Sequence, residues 1–150
     1  MIGDAETVIK MYAIFCRETL KDFQANEGKL AAQAGHAYLH AWLDAEKRLE
    51  LENKTGSFWG RCDCTDYALN VMYRYKDNND ARKIALVVNT VAELHDLANL
   101  HADRCGVSLV EDCGYTIFDK PTITCLGLGP IDDDDKLDIL RSLELLRHEL

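Results

Sequence analysis

Lys29, Gln33, His36 and His40 recur at spacings of four, three and four. At about 100° per residue such spacings place four side chains within an arc of roughly 60° on one helix. An amine, an amide and two imidazoles bind oxygens and move protons, and here they stand beside the small residues Ala31, Ala32 and Gly35. A solvated face would carry pairs of opposite charge, which this helix shows only at Asp44 and Arg48. Ala34, Tyr38, Ala41, Ala45 and Leu49 make the opposed, core-facing stripe. Residues 28–49 are therefore expected to form a helix with one apolar face and one active or binding face.

The surrounding pattern says what could meet that face. Residues 8–16 are a nearly continuous apolar run, as in a strand buried on both sides. Residues 84–88 are a β-branched strand, and Thr90 with Glu93 opens a helix by a capping box. Leu94, Leu97, Ala98 and Cys105 form its apolar stripe, with Gly106 expected to end it in the left-handed conformation. A strand at 107–110 completes a βαβ unit, which implies parallel strands. Residues 122–128, closed by Gly129-Pro130, read as a strand antiparallel to the preceding one, because the connection is too short for a crossover helix. Asp132 to Asp135 are expected at the start of a final helix buried by Leu137, Leu140, Leu143 and Leu146. Residues 50–80 are weakly patterned and read as an insertion near 53–80, with a short helix at 67–75.

This topology brings Lys29, past the first strand, to the sheet edge where Asp112 lies just past the end of the 107–110 strand and Thr124 begins an antiparallel one. Open α/β sheets bind ligands at that edge. An amine, a carboxylate and a hydroxyl beside Gln33 and His36 suit activation of a water and stabilisation of an oxyanion. Each also has an ordinary reading: a solvated lysine, an Asx turn at Asp112, a strand-forming threonine, half-buried histidines. The residues alone describe a small α/β domain with a hydrolytic or phosphate-binding edge.

Composition narrows the class. A chain of 150 residues, 47% hydrophobic and 29% charged, is expected to be one globular domain. The six-residue apolar run at 11–16 is far short of the ~18 a membrane span needs, and the N-terminus lacks the basic flank of a secretory signal. Six cysteines are expected to be reduced, as in a cytoplasmic protein. Cys62 and Cys64 flank one residue, and no second pair completes a zinc site, so no metal and no cofactor is expected. The net charge of −9 disfavours nucleic acid in general, but residues 131–150 alone hold seven acids against three bases, leaving room for a basic face elsewhere.

Three segments carry a resemblance. Gly28-Lys29-Leu30-Ala31-Ala32-Gln33-Ala34-Gly35-His36-Ala37 resembles the GKxAAQxxHA helix opening of the type 2 (archaeal and eukaryotic) peptidyl-tRNA hydrolases. Asp112-Cys113-Gly114-Tyr115-Thr116 resembles that family's DAGRT segment, and Thr124-Cys125-Leu126-Gly127-Leu128-Gly129-Pro130 its TVLGIGP strand. Lys10-Met11 fits the KM of its first strand, and the likeness runs over about residues 8–147 apart from 53–80.

The resemblance implies an α/β domain with a four-stranded mixed β-sheet and helices on both faces. It implies hydrolysis of the ester joining a peptide to tRNA, which returns free tRNA to translation. The family's catalytic lysine, aspartate and threonine fall on Lys29, Asp112 and Thr124, with Gln33 and His36 supporting, Thr116 ordering the Asp112 loop and Tyr115 available to stack on a base or ribose. Peptidyl-tRNA is then the partner, with no membrane, and homodimers occur in the family. Two departures remove cations: Gln24-Ala25-Asn26-Glu27 replaces a basic approach to the helix, and Tyr115 replaces the arginine of DAGRT. Ile117 replaces a glutamine. The alternative is a non-catalytic tRNA-, peptide- or protein-binding module on the same fold. A nucleotide-binding domain is a third reading, without a P-loop or GxGxxG to support it.

Overall fold

The computed structural model describes residues 8–22, 26–55, 64–77, 80–112 and 120–147, with side chains in all of these except 51–55 and 64–68. The elements run β1 (Ile9–Cys16), α1 (Arg17–Leu20), α2 (Glu27–Thr55), α3 (Cys64–Asp77), β2 (Lys83–Val88), α4 (Val91–His101), β3 (Val107–Asp112), β4 (Thr122–Asp132), α5 (Asp138–Arg141) and β5 (Glu144–Leu145). The sheet order is β3-β4-β1-β2-β5. β1 and β2 are parallel, and the other three pairs are antiparallel. β1 lies in the middle and buries every residue but Lys10, as its apolar run predicts. β2 and β3 are parallel as expected, but β1 and β4 stand between them. The chain moves one way across the sheet from β1 to β2 and back from β2 to β3. Right-handed crossovers then set α2 and α4 on opposite faces.

The sheet has five strands, not the expected four, and the difference lies in the last segment. In place of a long final helix, α5 makes one turn, closed by bonds from the Ser142 N–H to the Asp138 and Ile139 carbonyls. The chain then extends along β2, with Leu86 opposite Leu145, Val87 opposite Glu144, and the Leu146 N–H on the Ala85 carbonyl at 2.9 Å. A helix bonds only to itself. A strand here satisfies the outer backbone groups of β2, so pairing overrides a leucine spacing that also suits a helix. The acidic run is likewise not at a helix start. Asp132 ends β4, residues 133–135 turn, and the Asp134 N–H bonds the Asp132 carboxylate at 3.0 Å.

Two glycines set the distance between α2 and the sheet. A Cβ on Gly127 of β4 would lie 1.9 Å from the Ala37 carbonyl oxygen, and one on Gly106 would lie 2.1 Å from that of Ala41. Ala37, Ala41 and Ala45 are fully buried along this seam. Gly106 is therefore needed for close approach and not, as expected, for a left-handed turn: α4 ends at His101 with Ala102 in the right-handed region. β4 also runs past Gly129-Pro130 to Asp132 instead of stopping there. Gly129, at φ 128°, forms the irregularity opposite Lys10 and Tyr12 that lets pairing resume.

The weakly patterned stretch is helical at both ends. α2 continues to Thr55, and α3 is longer than the expected 67–75. Val71, Met72 and Tyr75 of α3 join the core, and Arg74 pairs with Asp132 at 3.2 Å. Cys16, Cys105 and Cys125 are buried free thiols. Among the described residues no helix is long and apolar enough to cross a membrane.

His101, on the buried stripe of α4, is fully enclosed. Its Nδ1 meets the Leu97 carbonyl at 2.9 Å, and Nε2 accepts from the Leu137 N–H at 3.5 Å. That requires the neutral ring, and burial lowers its pKa below 6.5. Above pH 6.5 the ring is neutral in both folded and unfolded chains. Below it the unfolded chain takes up the proton first, so stability falls as pH drops from 6.5 toward the folded value. Urea midpoints are expected to decline from pH 7.5 to 5.5, and His101→Gln is expected to flatten that decline. For the seam, Gly127→Ala is expected to cost about 3 kcal/mol by the same assay. Gly35→Ala, whose Cβ meets nothing within 4 Å, is expected to gain about 0.5–1 kcal/mol.

Candidate active site

The site is built at the carboxyl edge of the parallel strands by α2, β3 and β4. Asn26 starts it: its Oδ1 accepts the Lys29 N–H at 3.0 Å, and its carbonyl accepts the Leu30 N–H at 3.0 Å. This is the N-cap of α2, which fixes the turn that carries Lys29. An asparagine just before an apolar periodic run is the sequence signal for this role. Lys29 Nζ lies 2.5 Å from Asp112 Oδ2, with the two side chains 17% and 5% exposed. Asp112 is the last residue of β3.

Thr124 arrives through a bulge. Val110 pairs with Cys125 and Glu111 with Ile123, so β4 carries one extra residue at Thr124. Consecutive side chains then face the same helix. Thr124 Oγ1 donates to Gln33 Oε1 at 2.7 Å, and the Cys125 thiol reaches the Gln33 carbonyl at 3.5 Å. Gln33 is 4% exposed and lies on the same i+4 row as Ala37, Ala41 and Ala45. It does not belong to an opposed polar face, as the spacing suggests. It is the polar end of the buried stripe. Thr124 is fully buried, and its proton has Gln33 Oε1 at 2.7 Å and the Val110 carbonyl at 3.4 Å as acceptors within the protein, so toward a reactant it can only accept a hydrogen bond. Gln33, its carbonyl used, has its NH2 to offer.

Cys125 is the other candidate nucleophile here. Burial pushes its thiol up to about 12, so at neutral pH it stays protonated. His36 and His40 are exposed on α2, their rings packed edge to face with centroids 5.9 Å apart. The structure thus brings together Lys29 with Asp112 and Gln33 with Thr124, and leaves His36 on an open flank. Tyr115 and Thr116 lie outside the described residues.

Electrostatics favour this edge more than the net charge suggests. Asp132 opens the acidic run at the other end of β4, opposite Ile9. Eight residues of strand separate it from Thr124, roughly 26 Å at about 3.3 Å per residue. That is about three Debye lengths at physiological salt, so the acid-rich turn is largely screened from a polyanion at the site. Lys10 and Lys136 lie 3.8 and 3.1 Å from Asp133, which further offsets the run.

Residues 9–146 match the family model described as peptidyl-tRNA hydrolase PTH2. A peptidyl-tRNA hydrolase of Thermoplasma acidophilum is 32% identical over 120 residues, covering 79% of this chain and 84% of the relative. One of Methanothermobacter thermautotrophicus is 34% identical over 128 residues, 83% and 92% of the two chains. One of Haloquadratum walsbyi is 33% identical over 127 residues, 83% and 91%. The chain belongs to the PTH2 family of peptidyl-tRNA hydrolases. It is an enzyme, and its reaction is hydrolysis of the ester between peptide and tRNA. These matches give the binding-module alternative no support.

The hydroxyl and the shape of Thr124 can be tested apart by substitution. Thr124→Val keeps the shape and removes the hydroxyl, and it is expected to lower kcat on peptidyl-tRNA about a hundredfold, whereas Thr124→Ser is expected to stay within about tenfold.

Proposed function

We propose that Lys29, Asp112 and Thr124 carry the hydrolysis, with Gln33 as the group that orients Thr124. The observation that supports this reading is the Lys29–Asp112 pair, formed at the ligand-binding edge by a helix and a strand far apart in sequence. A lysine and an aspartate placed only for stability would not need a nearly buried carboxylate at an open edge.

The reaction then runs as follows in terms of this chain's groups. A water held between Asp112 and Thr124 gives its proton to the Asp112 carboxylate as its oxygen attacks the ester carbonyl. The negative charge that develops on the carbonyl oxygen falls beside the Lys29 ammonium, already held in place by Asp112, so little reorganisation accompanies it. As the tetrahedral centre collapses, the ribose oxygen leaves and takes back the proton from Asp112. The products are a peptide acid and a tRNA with its terminal hydroxyl restored. Thr124 accepts from the water and Gln33 keeps Thr124 turned that way. His36, exposed on the open flank of α2, is the supporting residue that would contact the RNA. Peptidyl-tRNA arises at ribosomes, so the working enzyme is placed in the cytoplasm. A homodimer, if formed, has to leave this edge open for the RNA.

Lys29→Ala and Asp112→Asn are each expected to lower single-turnover hydrolysis of peptidyl-tRNA by about a thousandfold or more, with a folded, cooperative melt retained. Full activity in both would overturn the assignment.

A further inference from the structure

α2 has a second flank that the chemistry above does not use. At 100° per residue, Lys29, His36 and His40 lie to one side of its buried row. Ala31, Gly35, Tyr38, Leu39 and Trp42 lie to the other and line a groove of about 620 Å³. Because α2 sits over β3 and β4, the neighbouring face of β1 and β2 is left beside it. Met11 and Lys83, partners in register there, line the groove as well. Tyr75 closes its far end, its ring 5.9 Å from that of Trp42. Leu39 is 54% exposed on the rim, and the space over Gly35 is open.

We propose that this groove seats the peptide of peptidyl-tRNA, a proposal that rests on ester cleavage at Lys29 and Asp112. The substrate has two unlike halves that meet at the ester. The two flanks of α2 are unlike in the same way: one carries Lys29 in the first turn, and the groove on the other begins at Ala31, two residues further along the helix. The polyanionic half suits the flank of Lys29 and the histidines. It does not suit the groove, whose one lining cation among the described residues, Lys83, is turned to the Ala81 carbonyl at 2.9 Å and the Tyr75 ring. Apolar walls with an open centre fit side chains of varied shape, as an enzyme that clears many nascent peptides requires. Ala31 to Trp42 spans about 17 Å of helix at 1.5 Å per residue, which matches about five residues of extended peptide.

The test compares two substrates with the same tRNA and the same esterified amino acid: an N-acetyl-aminoacyl-tRNA and a peptidyl-tRNA carrying about five apolar residues. Gly35→Trp fills the open centre, and Leu39→Asp charges the rim. In each, the ratio of kcat/KM for the long substrate to that for the short one is expected to fall about tenfold, through KM. An unchanged ratio in both variants overturns the groove, as does a change in oligomeric state on light scattering, which would make this face an interface between copies. Lys29→Ala separates the two readings. Loss of both substrates together with an unchanged ratio in the groove variants removes the groove alone. Retained turnover of both substrates in Lys29→Ala removes the site assignment and the groove with it.

Discussion

The close approach of α2 to β4 and to Gly106 is the constraint on which the site depends. With Gly127 against the Ala37 carbonyl and Gly106 against that of Ala41, the helix backbone lies almost on the sheet. Only glycines and alanines permit this, because interiors are packed without spare volume. The consequence appears one turn earlier on the same row, and beside it in the first turn. Gln33 is brought within 2.7 Å of Thr124, and from the first turn Lys29 reaches Asp112. A methyl group in the seam would lift the helix by more than a hydrogen bond tolerates. Packing and chemistry are thus two ends of one helix face.

Charge is distributed along the long axis of β4 in the same economical way. Asp132 is held by Arg74, and Asp133 by Lys10 and Lys136, all at the amino edge of β1. Lys29 and Asp112 stand at the opposite edge. A net charge of −9 therefore says little about the field that tRNA meets, since screening acts over a distance shorter than the strand. The missing cations before Gly28 have a local counterpart as well. Asn26, one of the residues that replaces them, caps the helix and orders the turn that carries Lys29.

Much of this was legible in the chain. The β1, β2, β3 and β4 cores, the Thr90 cap and the edge shared by Lys29, Asp112 and Thr124 all follow from apolar runs and connection lengths. The cap forms as read, with the Glu93 N–H on Thr90 Oγ1 at 3.2 Å. What was not legible depends on partners. Gln33 has the spacing of a polar face but the burial of a core residue, because its hydrogen-bond partner is on β4. The bulge at Thr124 breaks the alternation by which a strand's faces are assigned. Gly106 has the look of a helix stop and is a contact residue.

The sequence by itself determined which residues could do the chemistry, which edge they would share and, through three motifs, the family. Those depend on residue type, order and the direction of strands, all of which are local or topological. Only the tertiary structure decided that the final leucines extend along β2, that Gln33 belongs to the core, and that α2 carries an apolar groove opposite its histidines. Each of these turns on which backbone or side chain arrives from elsewhere to bury a surface or satisfy a hydrogen bond, and no spacing along a single chain records that arrival.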